Sequence, residues 1–548
     1  MIVELFGLPG SGKTTFAQSF AAEGAILIPA SDRLRMLGES FLFFLSHPIR
    51  AVRLFLFIRA HAPREHRGLL LANLFFSASA KYLRARRASR EGKVALVDQG
   101  YFQAFLSLFG STPDDAVLRE LVRILPEPDM LLVLDVSPAQ RAQRMAERGR
   151  RPREEFGAAA VAAFAAAAEN TFPRAVSLFK AYAIPHEIIS GSAPAQLSDI
   201  LKKNVSYVTI ARMPTEKAHG VSIAHMCASF ASAGAKVSLI VPKRENLVTA
   251  DLSSYYGVLE NFAVQKIAAP DFVGHGLTSP FFFFIQRLLF LFALRRVSIP
   301  PGIVYTREPE IAWFFSSSHR AIFEAHRWPS GFSGWLQARL LGHAALVVCN
   351  SHGTEAAAKR HGIARTAVAP NGFDAALFAS AKHKTRAELG LPERTLAIYI
   401  GSSQKGKGAE VVERARAALH GASVFMLGND IRVSPAHVPE YLLSADMLLL
   451  PNTNEGESER FTSPVKLFEY LGAGKVIIAS DLPPMREILK DDDAFFVRPG
   501  DAEALAKAIE MLARDHALRA RLAARAKALS AFYTWDARAK RILKALPL

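Results

Sequence analysis

The sequence predicts an α/β protein made of three successive units, each with a parallel β-sheet covered by helices on both faces. Two observations predict this class. Short apolar runs typical of buried strands alternate with helical patterns along the whole chain, as they do in parallel sheets. In addition, a chain of 548 residues is too long for one hydrophobic core. We place the units at residues 1–203, 204–380 and 381–548.

The predicted strands of the first unit are apolar runs at residues 2–6, 25–29, 94–98, 130–135 and 186–190. Those of the second unit lie at residues 205–211, 236–241, 302–306, 321–324, 345–349 and 366–370. Those of the third lie at residues 396–401, 423–427, 447–451, 476–480 and 494–497. Two Ala-rich stretches, 156–169 and the end of the chain from 501, are predicted to be helical because alanine is the best helix former.

Composition narrows the class of protein. There are two cysteines, Cys227 and Cys349, so we expect no disulfide framework and a reducing cytoplasm. We expect no secretion signal and no membrane span, since residues 41–60 are interrupted by Pro48 and arginines, and 281–294 is short.

Charge is concentrated near the N-terminus. The formal net charge is +17, and residues 33–90 hold twelve arginines and lysines against two acids. This stretch is either a solvated helical face or a surface for anionic lipid or a phosphorylated substrate. Nucleic acid is not expected as a partner, since no recognised nucleic-acid module is present.

The first functional motif is a phosphate-binding loop, Gly7-Leu8-Pro9-Gly10-Ser11-Gly12-Lys13-Thr14. It follows an apolar run and opens a helical pattern, which is the context that the motif G-x-x-x-x-G-K-[ST] requires. The glycines let backbone N–H groups surround phosphate oxygens at a helix N-terminus. Lys13 can reach the β- and γ-phosphates, and the Thr14 hydroxyl can hold Mg²⁺. The first unit is therefore predicted to bind a nucleoside triphosphate.

Two further features of this unit are candidate parts of the same site. Asp98 ends a predicted strand, where it could hold Mg²⁺ or accept a substrate proton, or simply cap a turn. Arg141, Arg144 and Arg148 follow another strand and share one helix face. They form either a solvated surface or a lid that stabilises charge on a transferring phosphoryl group.

These pieces resemble P-loop kinases of the thymidylate and nucleoside kinase kind over most of residues 1–200. The resemblance rests on the phosphate loop, on the strand ending at Asp98 and on an L-D-x-x-P-x-x-x-x-R-x-x-x-R-like stretch at 134–148. It implies ATP with Mg²⁺ as the ligand. The sequence Asp98-Gln99-Gly100 differs from the D-R-[YF] or E-R-S of those kinases, so it leaves the substrate open.

Residues 206–548 resemble a GT4-like retaining glycosyltransferase with the GT-B fold, that is, two Rossmann-like lobes. The resemblance rests on an ordered series of segments: 214–220, 304–307, 323–326, the P-N-G-x-D-x-x-x-F signature at 370–378, 399–401 with 405–408, and 455–475. The cleft between such lobes offers a nucleotide-sugar site at strand ends.

The resemblance implies roles for particular residues. Glu469, at the start of a helix, would bind the ribose hydroxyls, unless it only complements the helix dipole. Lys407, with Lys405 as a competitor, would neutralise the diphosphate. Backbone amides near Ser463 and the neighbouring Lys466 would also face the diphosphate. His326 would contact the donor sugar, and Gly220 with His219 would line the acceptor side. No metal is expected in this half.

Two positions depart from the family pattern. Phe461 stands where the first glutamate of E-x7-E is usual, and Ser402 stands where an arginine is often found. Diphosphate binding would then depend on fewer cations.

The sequence thus predicts a cytoplasmic protein, with peripheral contact at the inner face of a membrane as an alternative. It would move a sugar from a nucleotide sugar to a hydroxyl of a glycan or lipid-linked acceptor, with retention at the anomeric carbon. Two alternatives stay open. The principal activity could be a kinase reaction, or the first unit could be an ATP-dependent scaffold for the transferase.

Overall fold

A computed structural model describes residues 1–147, 157–190, 196–246, 248–272, 279–382, 384–401, 406–454 and 464–547. It contains three parallel sheets, one in each predicted unit. The α/β class and the three-sheet organisation predicted from the sequence are therefore confirmed.

The first sheet has the order β2-β3-β1-β4-β5, and all its strands are parallel. Its strands are β1 Ile2–Phe6, β2 Ile26–Leu27, β3 Ala95–Val97, β4 Met130–Asp135 and β5 His186–Ser190. Its helices are α1 Lys13–Ala22, α2 Arg33–Ser46, α3 Pro48–His61, α4 Arg67–Leu71, α5 Ala78–Arg90, α6 Ala104–Ser107, α7 Asp115–Ile124, α8 Pro138–Glu147, α9 Ala158–Ala181 and α10 Leu197–Lys202. Every residue of β1 is buried, as expected of a central strand covered on both faces.

The second sheet has seven strands in the order β12-β11-β10-β9-β6-β7-β8. The strands are β6 Asn204–Val208, β7 Lys236–Lys243, β8 Ala263–Ala268, β9 Ile303–Thr306, β10 Arg320–Ala325, β11 Leu346–Cys349 and β12 Thr366–Val368. The helices are α11 Ala218–Ser232, α12 Leu252–Tyr256, α13 Pro280–Leu294, α14 Pro309–Phe315, α15 Gly331–Leu341, α16 His352–Arg360 and α17 Ala375–Ser380. Strand β8 was not predicted, because it is an edge strand with five of its six residues exposed and so lacks an apolar run.

The third sheet has the order β14-β13-β15-β16-β17. Its strands are β13 Leu396–Ile400, β14 Ser423–Leu427, β15 Met447–Leu450, β16 Val476–Ser480 and β17 Phe495–Val497. Its helices are α18 Ala409–Ala417, α19 Val438–Ser444, α20 Val465–Ala473, α21 Pro483–Arg486, α22 Ala502–Arg514, α23 His516–Ser530 and α24 Trp535–Ala545. The last helix returns to the second unit, where Trp535, Ala539 and Ile542 are buried in its core.

The first and second units meet at the amino-terminal edges of their sheets. Gly92 lies just before β3, and its carbonyl accepts a hydrogen bond from Arg320, the first residue of β10 (3.4 Å). A Cβ added to Gly92 would lie 2.6 Å from the carbonyl oxygen of His343, so the two backbones approach closely. The carboxyl-terminal edges of both sheets, where α/β proteins bind ligands, therefore point away from this contact.

Among the described residues, no single helix has both the length and the apolar composition needed to cross a bilayer. Helices α2 and α3 together satisfy the length and composition criteria, but they are bent relative to each other by 120°.

Candidate active sites

The phosphate loop joins β1 to α1 at the carboxyl-terminal edge of the first sheet. Gly12 caps α1 with a positive φ of 90°, which favours glycine. A Cβ on Gly10 would lie 2.6 Å from the carbonyl oxygen of Arg141, so α8 packs directly on the loop. Lys13 Nζ donates to the carbonyls of Gly7 and Leu8, and Thr14 is exposed in the first turn of α1. The loop thus presents the glycines, amine and hydroxyl that a triphosphate with Mg²⁺ requires.

Asp98 lies just beyond β3, the neighbour of β1, and so at the same edge as the loop. Its carboxylate accepts a hydrogen bond from Lys81 Nζ at 3.0 Å, and the Lys81 side chain is 9% exposed. Lys81 would compete with a metal for this carboxylate. No cluster of three or more His, Cys, Asp or Glu side chains suited to a metal occurs within the described ranges. The metal roles of Asp98 and Thr14 remain predictions.

The two described arginines of α8 have different partners, although their spacing places them on one helix face. Arg141 is buried, and it pairs with Glu169 on α9 and with the carbonyl of Val136. Arg144 Nη1 instead donates to the carbonyl of Ser11 in the phosphate loop (3.2 Å). Arg141 thus anchors α8 to α9 in this structure, and Arg144 is the better placed candidate for a phosphate ligand; the role of Arg141 at the phosphates stays a prediction. Arg148 lies outside the described residues.

A second group of residues in the first unit was not predicted. Glu4, in the middle of β1, is buried beneath Gly100, and its carboxylate accepts a hydrogen bond from the Phe102 N–H (2.7 Å). Burial raises the pKa of Glu4 to about 8. Gln103 reaches toward the carbonyl of Gly7 (3.5 Å). The sequence did contain a signal for this site, because Glu4 is the single charged residue within the apolar run of β1.

In the second unit, a buried ion cluster forms at the carboxyl-terminal end of β10. Glu324 is 1% exposed, and its Oε1 lies 3.0 Å from Arg307 Nη2, 2.8 Å from Arg538 Nη2 and 2.8 Å from His326 Nε2. Burial alone would raise the pKa of Glu324, but the charges of Arg307 and Arg538 hold it well below the usual value. The cluster fixes an ionised carboxylate behind the His326 ring.

The surroundings of His326 and His219 disfavour the charged form of each imidazole. Burial and the charge of Arg307 lower the pKa of His326, although Glu324 opposes this shift. Burial, followed by the charge of Arg307, lowers the pKa of His219 to about 4. The His326 side chain is 35% exposed, so part of the ring is accessible to a ligand, although its Nε2 is buried against Glu324. Each imidazole offers ring nitrogens that can donate or accept a hydrogen bond with a substrate.

Gly220 lies in the first turn of α11, next to His219. A Cβ at Gly220 would lie 2.1 Å from the hydroxyl oxygen of Tyr256. That hydroxyl donates to the carbonyl of Thr215 (2.8 Å) and accepts from the Thr215 N–H (2.7 Å). Close packing against Tyr256 therefore explains this glycine, and it keeps the 214–217 turn beside His219.

In the third unit, Lys466 and Glu469 share one face of α20. Helix α20 begins at Val465, so Glu469 lies in its second turn. The prediction that Glu469 starts a helix is corrected, and the helix dipole no longer explains this residue, since its effect is confined to the first turn. Burial raises the pKa of Glu469 to about 7, against the opposing charge of Lys466.

Lys466 reaches the end of β13. Its Nζ donates to the carbonyl of Ile400 and lies 4.7 Å from the centre of the Tyr399 ring. A Cβ on Gly401 would lie 2.8 Å from this amine, so the glycine leaves room for it. Burial, followed by the charge of Lys407, lowers the pKa of Lys466 to about 7. Two predicted diphosphate ligands are thus near each other at one sheet edge.

Asn452 follows β15, the neighbour of β13, at this same edge, and sequence reasoning missed it. It is 1% exposed, and neither its Oδ1 nor its Nδ2 has a hydrogen-bond partner in the described part of the chain. Buried amides normally have partners, so this amide is a candidate ligand contact. The signal in the sequence was an asparagine directly after an apolar run.

Four residues named in the sequence analysis of this half lie outside the described residues: Ser463, Phe461, Ser402 and Lys405.

Two family models match separate parts of the chain. A model described as "Glycosyl transferases group 1" matches residues 381–529. A model described as "AAA domain" matches residues 2–171. The chain joins a P-loop AAA domain to a glycosyltransferase group 1 domain. The family interpretation of both halves of the sequence is thereby confirmed.

Curated relatives match part of the chain. It is 27% identical over 190 residues to TuaC of Bacillus subtilis (strain 168), a glycosyltransferase assigned to teichuronic acid biosynthesis, covering 31% of this chain and 47% of that protein. It is 32% identical over 140 residues to the phosphatidyl-myo-inositol mannosyltransferase of Mycobacterium leprae (strain TN), covering 25% and 35%. The chain therefore spans less than half the length of each of these two relatives.

A solved structure shows the fold of the glycosyltransferase half. Sucrose-phosphate synthase from Thermosynechococcus elongatus aligns with 62% of this chain and 97% of its own, with a TM-score of 0.51 and 16% identity. This likeness confirms the two-lobed GT-B fold that was predicted for the glycosyltransferase half.

Proposed function

We propose that the protein transfers a sugar from a nucleotide-sugar donor to a hydroxyl of a glycan or lipid-linked acceptor, with retention at the anomeric carbon. The observation that carries the proposal is the pair Lys466 and Glu469, with a pKa of about 7 for each group, at the carboxyl-terminal edge of the third sheet. This edge is where open α/β sheets bind nucleotides.

The donor would contact the residues that converge on this edge. Glu469 would accept hydrogen bonds from the ribose hydroxyls, while Lys466 and Lys407 would neutralise the diphosphate as it leaves. Backbone amides near Ser463 would add donors to the same group. Asn452 would find partners for its buried amide in the donor. Charge-assisted hydrogen bonds of this kind contribute more than neutral ones.

The acceptor would enter from the second unit. Val465, the first residue of α20, packs against the core of that unit, which brings the donor edge next to it. His326 would donate or accept a hydrogen bond at the donor sugar, and Glu324 with Arg307 would hold its ring in position. His219 and Gly220 would line the acceptor side. The named curated relatives include a lipid mannosyltransferase, which supports a lipid-linked acceptor among the candidates.

For the first unit, we propose that ATP with Mg²⁺ binds the phosphate loop. Lys13 and Arg144 would contact the phosphates, and Thr14 would hold the ion. Asp98 would bind the ion only if its hydrogen bond with Lys81 were broken. The ion would neutralise phosphate charge. Phosphoryl transfer as the principal activity is the alternative, and the direct contact between Arg144 and the loop favours it over a purely structural domain.

The test is a thermal-unfolding panel of UDP-, GDP- and ADP-sugars and ATP, since a ligand stabilises the state that it binds. We expect one nucleotide-sugar class to raise the Tm of the wild-type protein and of Glu503→Ala, whose changed side chain is exposed on α22. The shift should be clearly smaller in Glu469→Ala at the same ligand concentration, because weaker binding stabilises less. An undiminished shift in Glu469→Ala, or the absence of a shift with every nucleotide sugar, contradicts the proposed donor site.

A further inference from the structure

The outward face of α2 is apolar, the reverse of an ordinary surface helix. Ser40 and Phe43 are its buried residues and mark the inward side. On the opposite side, exposed apolar side chains recur at helical spacing, with exposures of 86, 50, 61 and 59%: Leu34, Leu37, Phe41 and Leu45. No other described part of the chain covers these four side chains, so they are exposed to water.

Helix α3 repeats the arrangement. Ala51, Leu54, Phe57 and Ile58 are buried, while three apolar residues spaced i, i+3 and i+7 are 74, 43 and 55% exposed: Ile49, Val52 and Leu56. His47 alone separates the two helices, and Leu45 and Ile49 are exposed on either side of it. The exposed apolar residues of α2 and α3 thus follow one another along the sequence on either side of the bend. We name this set the α2–α3 face.

Arginines border the α2–α3 face. On the helical wheel Arg33 and Arg35 lie about 100° to either side of Leu34, and the exposed Arg53 and Arg59 flank Leu56. Between Arg33 and Arg64 the chain has six arginines and one acid, Glu39. Glu39 pairs with Arg35 and with Arg84. The border is therefore cationic.

The rest of the basic N-terminal stretch is used differently. Lys81 is buried against Asp98, Arg84 pairs with Glu39, and Arg86 donates to the Tyr82 hydroxyl. The basic residues of 33–90 therefore do not form one surface. The α2–α3 face is where exposed arginines lie beside exposed apolar side chains.

We propose that the α2–α3 face binds the surface of an anionic phospholipid bilayer. Its apolar side chains would enter the boundary between headgroups and acyl chains, while Arg33, Arg53 and Arg59 would contact lipid phosphates. Positive charge along both borders favours this partner over a second copy of the chain, because two such faces would repel each other. The proposal is independent of the proposed sugar transfer, since it needs neither the donor nor the acceptor site.

The test is flotation of the full chain with vesicles of phosphatidylcholine, with and without 30% phosphatidylglycerol. We expect binding to the anionic vesicles, weaker at physiological than at low salt. The triple variant Leu37→Ser/Phe41→Ser/Leu45→Ser should reduce the bound fraction at least about tenfold, because three exposed insertion points are lost. Arg53→Gln/Arg59→Gln should reduce binding most at low salt. An unchanged ATP thermal shift would show that the variants fold.

The matched control lies on α13, whose exposed apolar residues include Phe281, Phe284 and Phe292. Their triple replacement by serine should leave flotation unchanged. The proposal is overturned if the wild-type protein does not float, if the α13 variant loses binding while the α2 variant retains it, or if binding is equal on neutral vesicles. It is also overturned if light scattering shows that the α2 variant converts an oligomer to a monomer with flotation unchanged.

Discussion

Lys466 and Glu469 lie on one face of α20, and burial moves the pKa values of both side chains to about 7 from opposite directions. A lysine whose pKa is lowered and a carboxyl group whose pKa is raised toward neutrality suit a ligand that brings charge and hydroxyl groups. Perturbed groups of this kind concentrate at functional sites. The proposed donor site rests on this pair.

The first prediction concerns proton uptake. A bound diphosphate favours the charged amine, so it raises the pKa of Lys466 above about 7. At pH 8 the free amine is mostly neutral and Glu469 is mostly ionised, so donor binding should take up protons. Calorimetry in buffers of different ionisation enthalpy measures this uptake. Lys466→Arg should bind without the Lys466 contribution, because arginine stays protonated. Equal uptake in both proteins would contradict the role given to Lys466.

The second prediction concerns donor affinity. Glu469→Ala should weaken donor binding by about 1.5–3 kcal/mol for each charged hydrogen bond removed. The Kd measured by titration should therefore rise by about tenfold or more. Glu503→Ala, an exposed carboxylate on another helix, serves as the control and should leave Kd unchanged.

The third prediction separates turnover from affinity. His326→Ala should lower kcat more than it raises the donor Kd, because the ring is proposed to act at the sugar rather than at the nucleotide. Steady-state kinetics and donor titration on the same preparation give both numbers. A proportionate loss of affinity with unchanged kcat would remove His326 from the reaction centre.

The fourth prediction concerns stability. Arg538→Ala should destabilise the protein by about 3–5 kcal/mol, because it leaves the buried carboxylate of Glu324 without one of its two arginines. Arg538 lies on α24 and is 3% exposed. Thermal or denaturant unfolding measures the loss. Arg541→Ala, on the same helix, should change stability little.

The fifth prediction concerns the phosphate loop of the first unit and the contact of that unit with the second. Lys13→Ala should abolish ATP binding and leave sugar transfer measurable, because the phosphate loop and the contact with the second unit lie at opposite edges of the first sheet. Arg144→Ala should weaken ATP binding, whereas Arg141→Ala should lower stability through loss of the Glu169 pair. Loss of sugar transfer in Lys13→Ala would indicate coupled sites instead.

Local patterns predicted much of this architecture. Apolar runs such as Met130–Asp135 became buried strands, and the phosphate loop lies where its spacing requires. Strand β8 was not predicted because an exposed edge strand need not be apolar. Helical spacing showed that Arg141 and Arg144 share a face, but it could not show that α9 supplies a glutamate to one of them.

Long-range contacts were beyond the reach of sequence patterns. Arg538 and Glu324 are 214 positions apart, and nothing in either segment indicates that α24 folds back onto the second unit. The burial of Asn452 likewise depends on the neighbouring strands. The motif placed Glu469 at the start of a helix, whereas it lies in the second turn of α20, because the helix already begins at Val465.

The most direct test of the account is transfer of tritiated sugar from the nucleotide sugar selected by thermal shift, into chloroform-extractable lipid or polymeric glycan. We expect transfer by the wild-type protein and by Lys13→Ala, and at least about tenfold less by Glu469→Ala at donor concentrations below Kd. Transfer that is unaffected by Glu469→Ala, or no transfer into either acceptor fraction, would contradict it.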